Sequence, residues 1–323
     1  MRARLAIRGR VGSPKLGLFE LGTHRVVHIP RCSVHHPLIN QVAAVVRRAL
    51  VETRTSCYSD TAHQGCARYL QVTVERSSQS AQVVLVANCA TPEPVSACFE
   101  LIRERLGTAL HSLWFSANTG RGNTILGPGF VRWCGPESLV ERFGGAAIHY
   151  PPGAFIQNNL DAAQAIIEQV RGAIPPGSRV AEFYAGVGAI GLSVLERVSA
   201  LQLNEVGPES LQGLALGLAR LDPVDRARIA VLPGPAGAAT AAADGADVVI
   251  VDPPRKGLDA ALTEHLVAHP PERLIYVSCG LPALLADAYR LTAGGRLWLA
   301  SITAYDLLPY TEHVETVALF ERA

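Results

Sequence analysis

From residue 154 onward the chain alternates short apolar, strand-like runs with helical stretches, and few folds accept that rhythm. The spacing predicts strands at 178–184, 199–205, 227–232, 247–252, 273–278 and 295–303, and a last strand at 313–321. Between them it predicts helices near 158–172, 189–197, 208–220, 259–269 and 281–292, with Asn158 and Asn159 as candidate caps of the first. Alternation of this kind builds an open sheet with helices on both faces. The expected class is therefore α/β, a doubly wound, mostly parallel sheet. Ligand sites in such sheets lie beyond the carboxyl ends of the strands.

The first half has a different rhythm. Strands are expected at Arg4–Ile7, Leu16–Leu21 and Arg25–Ile29, then a helix over 38–53 with Leu38, Val42, Val45, Val46 and Leu50 on one stripe. Strands near 68–75 and 82–88, a helix near 94–106 and strands near 111–117 and 130–133 complete an α+β segment. Pro151-Pro152-Gly153 marks the expected boundary, giving domains 1–150 and 151–323. A length of 323 residues suits two domains, and 49% hydrophobic against 18% charged residues supplies ample core.

No apolar run approaches the roughly 18 residues a spanning helix needs. The basic start, Met1 to Arg10, carries no secretory h-region, so a cytoplasmic location is expected; the chain is also expected to be a monomer. The seven cysteines are scattered and form no CxxC pair, which indicates neither a disulfide framework nor a zinc site. No metal is expected. Net charge is only +1, yet residues 1–54 carry ten Lys/Arg against Glu20 and Glu52, a local +8 that leaves −7 for the rest. That asymmetry is what a phosphate-facing segment beside an acidic catalytic domain shows. The bland alternative is a solvated face: Lys occurs only at 15 and 256, so the arginine excess partly reflects composition.

Three motifs carry chemistry. Glu182-Phe-Tyr-Ala-Gly186-Val-Gly188 follows an apolar strand, and its glycines let backbone approach a ligand at the strand's carboxyl edge. Glu205 ends the next strand 17 residues after Gly188, where an acid can hydrogen-bond a ribose diol. With Gly191 the pattern fits either an S-adenosylmethionine or a dinucleotide site. Asp252-Pro253-Pro254 ends a further strand, and its prolines stiffen a loop that can hold a carboxylate toward a planar ring. Cys279 closes the run Leu274-Ile-Tyr-Val-Ser-Cys279, and Gly280-Leu-Pro282 then opens a helix whose N-terminus should lower the thiol's pKa. Glu315 comes 36 residues later; alone it reads as a surface residue of the last strand. A soft nucleophile and a carboxylate base suggest covalent catalysis with proton abstraction.

The combination of Phe155-Ile-Gln157-Asn-Asn159, Glu182 to Gly188, Asn204-Glu205, Asp252-Pro-Pro-Arg-Lys-Gly257, Tyr276-Val-Ser-Cys279 and Asp306 to Glu315 resembles the RNA 5-methyluridine methyltransferases. The likeness extends to Lys15 to Glu20 and His28 to Cys32. It implies an S-adenosyl-L-methionine-dependent methyltransferase domain behind an N-terminal RNA-recognition domain. It also implies that Cys279 is the nucleophile and Glu315 the base. Gln157, Tyr184, Gly186, Gly188, Glu205 and Asp252 would meet the cofactor or the flipped base, with Phe155 and Gln157 on the substrate. Structured RNA is the implied partner, rRNA ahead of tRNA. The chain departs from the family in lacking the N-terminal barrel of many members and the cysteine cluster that binds their 4Fe–4S centre, so no iron–sulfur cluster is expected. Ala189 and Tyr310 stand where asparagine and histidine are usual. Two other readings stay open: a non-catalytic RNA-binding module on this fold, and an amino-group methyltransferase using Asp252-Pro253-Pro254, which Arg255 after the prolines disfavours.

Overall fold

The computed structural model describes residues 1–307 and 311–323. The chain forms two compact units, Met1–Glu141 with Pro151–Ile156, and Arg142–Tyr150 with Gln157–Ala323. Where one cut after residue 150 is expected, the chain thus passes between units three times. Local bonds explain the return of Pro151–Ile156 to the first unit. Gln71 Nε2 donates to the Pro152 carbonyl at 2.6 Å, and Arg2 Nη2 donates to the Ala154 carbonyl at 2.8 Å.

In the first unit seven strands run along the chain as Arg2–Arg10 (β1), Ser13–Phe19 (β2), Val26–His28 (β3), Ala67–Val74 (β4), Ala81–Ala87 (β5), Leu110–Ala117 (β6) and Phe130–Cys134 (β7). They form one sheet in the order β3-β2-β1-β4-β5-β6-β7, antiparallel except for the β5–β6 pair. That parallel pair needs a crossover, supplied by Ser96–Leu106 (α2). The helix Pro37–Glu52 (α1) buries its whole expected stripe, and Val42 and Val46 belong to one core with Leu5, Leu70, Val83 and Phe99.

The basic N-terminal segment is less available than its charge suggests. Arg8 is only 8% exposed; its guanidinium bonds both Asp60 oxygens, at 2.6 and 2.8 Å, and lies over the Phe19, Tyr58 and Tyr69 rings. Arg4 Nε donates to Gln71 Oε1 at 2.8 Å. Arg8 is therefore a buried structural cation, contrary to the phosphate-facing role expected for the segment, while Arg10 and Lys15 are exposed.

A hairpin that the sequence reading lacks, Leu139–Phe143 (β8) and Ala146–Tyr150 (β9), turns at Gly144-Gly145 with φ of 53° and 91°. Two consecutive positive φ values define the turn that matches strand twist, and glycine adopts them without Cβ strain.

The second unit holds Ser178–Phe183 (β10), Val198–Glu205 (β11), Ile229–Pro233 (β12), Val248–Val251 (β13), Arg273–Ser278 (β14), Leu297–Tyr305 (β15) and Glu315–Arg322 (β16). Their order is β12-β11-β10-β13-β14-β16-β15. β10 to β14 are parallel, and β16 is antiparallel to both neighbours. The helices are Leu160–Ala173 (α3), Pro208–Leu218 (α4), Pro223–Ala227 (α5), Ala260–Ala268 (α6) and Leu281–Thr292 (α7). Asn159 caps α3 by accepting from the Ala162 amide at 3.1 Å. The α-helix expected over 189–197 is instead 3₁₀ from Gly191 to Arg197. Ser193 Oγ takes the Ala189 carbonyl that its own amide would use in an α-helix, and that amide moves to the Ile190 carbonyl. Among the described residues, no helix is long and apolar enough to cross a membrane.

Candidate active site

The parallel strands of the second unit deliver their last residues to one edge. Glu205 ends β11, Glu182 lies one residue before the end of β10, Asp252 follows β13 and Cys279 follows β14. The antiparallel direction of β16 brings its first residue to the same edge. Ser278 is in register with Thr316, so the next step along each strand sets Cys279 opposite Glu315. The late glutamate is thus half-buried beside the thiol and not the surface residue it resembles in isolation.

The loop after β10 is shaped for a ligand. Tyr184 has φ 61°, uncommon for a residue with a side chain and typical of sites held by their surroundings. Gly186 has φ 59°, and a Cβ built there would meet nothing, so the loop faces open space. Glu205 holds this loop. Its Oε2 accepts from the Gly186 amide at 2.7 Å, and its Oε1 accepts from the Val206 and Gly207 amides at 2.9 and 2.5 Å. A carboxylate has about four acceptor positions, so one lone pair of Oε2 is still open toward a hydroxyl. Gly188 is buried with φ 80°, and Gly191 packs so close that a Cβ would lie 2.3 Å from Glu182 Oε2.

Electrostatically the edge is a row of carboxyl groups that feel one another's charge. Burial pushes Glu182 up to about 8, with Asp252 adding to it and the Gly191 amide opposing. Glu182 is 2% exposed and its Oε2 has no hydrogen-bond partner. Burial likewise raises Asp252 to about 7, helped by Glu315. Glu315 is raised by burial, against a hydrogen bond with Gln157 and the Arg255 charge. The thiol expectation is corrected here. Burial, then the Glu315 and Asp252 carboxylates, push Cys279 up, and only Arg255 and its own backbone amide pull it down. Burial first, and two neighbouring acids after it, thus act against the lowering expected of a helix N-terminus.

Among the remaining expected residues, Gln157 sits on Glu315. The Tyr184 hydroxyl accepts from the Asp259 amide at 2.9 Å, fixing the start of α6. Phe155 belongs to the first unit and is 66% exposed. Tyr310 lies outside the described residues.

Comparison with known proteins places the chain in a family. The family model for tRNA (uracil-5-)-methyltransferases matches residues 244–323, which include Asp252, Cys279 and Glu315. An uncharacterized RNA methyltransferase of Protochlamydia amoebophila is 36% identical over 328 residues, covering 99% of this chain and 85% of that relative. The chain belongs to the RNA uracil-5 methyltransferase family. A second relative, an uncharacterized RNA methyltransferase of Geobacter sulfurreducens, is 28% identical and is covered over 64% of its own length. The tRNA (uracil-54, C5)-methyltransferase of Pyrococcus abyssi, solved with S-adenosyl-L-homocysteine, shares the fold. It superposes with a TM-score of 0.80 at 22% identity, over 99% of this chain and 75% of that one.

Sequence reasoning missed one supporting group in this member of the uracil-5 methyltransferase family. Asp287, on the buried face of α7, accepts at Oδ2 from the Tyr276 hydroxyl and the Leu258 amide, both at 2.8 Å. It ties the Asp252-Pro-Pro-Arg-Lys-Gly257 loop to β14 and α7. The available signal was an acid on a helical stripe shared with Leu284 and Leu291.

Proposed function

We propose that this chain transfers a methyl group from S-adenosyl-L-methionine to C5 of a uridine in structured RNA, through a covalent bond between Cys279 and C6 of the base. The observation that carries this reading is the β14–β16 register, which sets one thiol and one half-buried carboxyl side by side at the ligand edge. Uracil C5 is a poor nucleophile. Addition of the Cys279 thiolate to C6 moves electron density to C5, and bond formation there leaves a C5 proton that must go. Glu315 takes that proton, C5–C6 becomes a double bond again, and the C6–S bond breaks to release Cys279.

The residues present fit the methyl donor. The Gly186 loop faces open space and Glu205 keeps an acceptor position for a diol. The carboxyls of buried Glu182 and half-buried Asp252, both raised and with no basic side chain acting on them, suit a cationic ligand. When bound, S-adenosylmethionine supplies an electrophilic sulfonium methyl. A base must leave its stack to reach this edge at a cost of a few kcal/mol, roughly, and least in a loop, so RNA loops are the substrate class. The family model and the Pyrococcus protein are named for tRNA, so tRNA and rRNA transcripts both belong in the assay. Arg255 after the prolines disfavours the amino-methylating alternative, and retention of both Cys279 and Glu315 disfavours a non-catalytic module.

The test is Cys279→Ala with RNA carrying 5-fluorouridine. Wild type should form a denaturation-resistant protein–RNA adduct, because fluorine at C5 cannot be abstracted. The variant should form none and transfer no methyl, yet bind S-adenosylmethionine with nearly wild-type affinity. Methylation by the variant at a comparable rate would exclude the covalent route.

A further inference from the structure

A second cluster of ligating side chains lies at the opposite edge of the same sheet, where β13 and β14 begin. Asp244 comes from the loop entering β13, and His265 and His269 stand one turn apart at the end of α6. One ligating atom from each lies within 4.8 Å of the other two. His265 Nε2 is 2.9 Å from Asp244 Oδ1, and the two imidazole centroids are 4.9 Å apart. We propose that Asp244, His265 and His269 hold a divalent transition-metal cation of the zinc class, with water completing its coordination.

The chemistry of the donors selects the ion. Two imidazoles and one carboxylate suit zinc, nickel or cobalt(II), whereas calcium and magnesium take oxygen donors. His265 lies in the last turn of α6 and His269 caps that helix, its amide bonding the His265 carbonyl at 2.8 Å, which holds the two residues one turn apart. Around a tetrahedral zinc with bonds of roughly 2.0–2.1 Å, donor atoms stand about 3.4 Å apart. The close pair must open slightly and His269 must swing in. Asp244 and His269 are exposed and have the freedom to do so, while His265 is partly buried and fixes the site. An ordinary hydrogen-bonded Asp–His pair accounts for Asp244 and His265; it gives no reason for a second imidazole in reach of both. An open cleft of about 410 Å³, lined in part by Asp244, His269, Asp247 and Glu272, gives ion and water a way in. The bound cation would clip the end of α6 to the entrance of β13, whose far end leads to Asp252. Its role is structural and independent of the methyl-transfer reading.

The experiment uses the full chain, stripped with a chelator and titrated with Co²⁺, then with Zn²⁺. One equivalent of cobalt should give visible d–d bands without thiolate-to-metal charge transfer, and zinc should displace it. Cobalt on thiols, such as the Cys66–Cys89 pair with sulfurs 3.3 Å apart, would reveal itself by that charge transfer. Zinc should raise the wild-type Tm. His269→Gln and Asp244→Asn should each weaken binding roughly tenfold or more, while keeping the Tm of the metal-free protein. Cobalt bands unchanged in His269→Gln, bands carrying only thiolate charge transfer, or no Tm change at saturating zinc would each overturn the proposal.

Discussion

Burial makes both Cys279 and Glu315 hold protons more tightly than they would in water, and the Glu315 carboxylate further raises the cost of ionising Cys279. A pair so placed is poorly suited to both being charged at once, and the proposed chemistry uses them in turn: the thiolate adds first, and the carboxylate takes a proton afterwards. Glu315→Gln separates the two stages. Glutamine keeps the shape and the reach of Gln157 but accepts no proton, so addition and methyl transfer should proceed while elimination stalls. A covalent protein–RNA complex should then accumulate on ordinary, non-fluorinated RNA, with turnover reduced by ~10²–10⁴, the usual weight of a general base. Gel mobility under denaturing conditions reads the complex directly. Wild-type turnover would leave Glu315 without a chemical role. Glu182, farther along the row, makes a different prediction. It holds its proton up to about pH 8, whereas a glutamate in the unfolded chain releases it near 4.5. Between those values the folded state binds more protons than the unfolded, so stability falls as pH rises through the window. Glu182→Gln removes that dependence. Its Tm should match wild type near the acid end and exceed it above about pH 8, as calorimetry at the two ends would show; an equal Tm difference at both would contradict a protonated Glu182.

At the scale of elements, the Asp252-Pro-Pro loop depends on a partner in another helix. Asp287 is the shared acceptor for the Tyr276 hydroxyl and the Leu258 amide, and both donors are buried. Asp287→Ala leaves two buried donors unpaired at ~1–3 kcal/mol each. The variant should lose stability by a few kcal/mol in urea unfolding and show raised KM for the methyl donor, because the loop carrying Asp252 loosens. Asp287→Asn, which keeps an acceptor oxygen, should recover most of both. This network also shows what the sequence made legible. Nearly every strand and helix was readable, because a parallel sheet covered on both faces leaves near-continuous apolar runs such as Val248–Val251. The site was readable as far as residues fall at strand ends. The pairing of Cys279 with Glu315 needed the direction of β16, which no local pattern specifies. The Ser193 hydroxyl that turns a helix into 3₁₀, the burial of Arg8 and the reach of Asp287 depend on tertiary partners distant in sequence. The Gly144-Gly145 hairpin is different: its turn signal is local, a glycine pair between two apolar runs.

For the molecule as a whole, the local +8 of residues 1–54 is the property that bears on RNA. The structure divides that charge into two populations. Arg8 is committed to Asp60 and three aromatic rings, Arg47 bonds the Pro14 carbonyl, and Arg2, Arg4 and Arg25 are held by neighbours in the segment's own sheet or by Glu20, although Arg4 and Arg25 are exposed. Arg10 and Lys15 are exposed on the β1–β2 hairpin, and Arg31, Arg48 and Arg54 are exposed elsewhere in the segment. Only exposed cations release counterions when they meet phosphate. Each contact contributes a slope of about 0.7 in log affinity against log salt for single strands. If the segment supplies phosphate contacts, replacing Arg10 and Lys15 with Gln should weaken binding to unrelated RNAs about equally. It should also flatten the salt slope by up to about 1.4, with Tm and S-adenosylmethionine affinity unchanged. Arg8→Gln should do the reverse. It leaves Asp60 without its partner and three rings without their cation, so Tm should drop while the salt slope of the folded protein stays as in wild type. Fluorescence titrations at four or five salt concentrations distinguish the two. A slope unaltered in the Arg10/Lys15 variant would mean that the charge asymmetry is compositional, and that RNA is held by other parts of the chain.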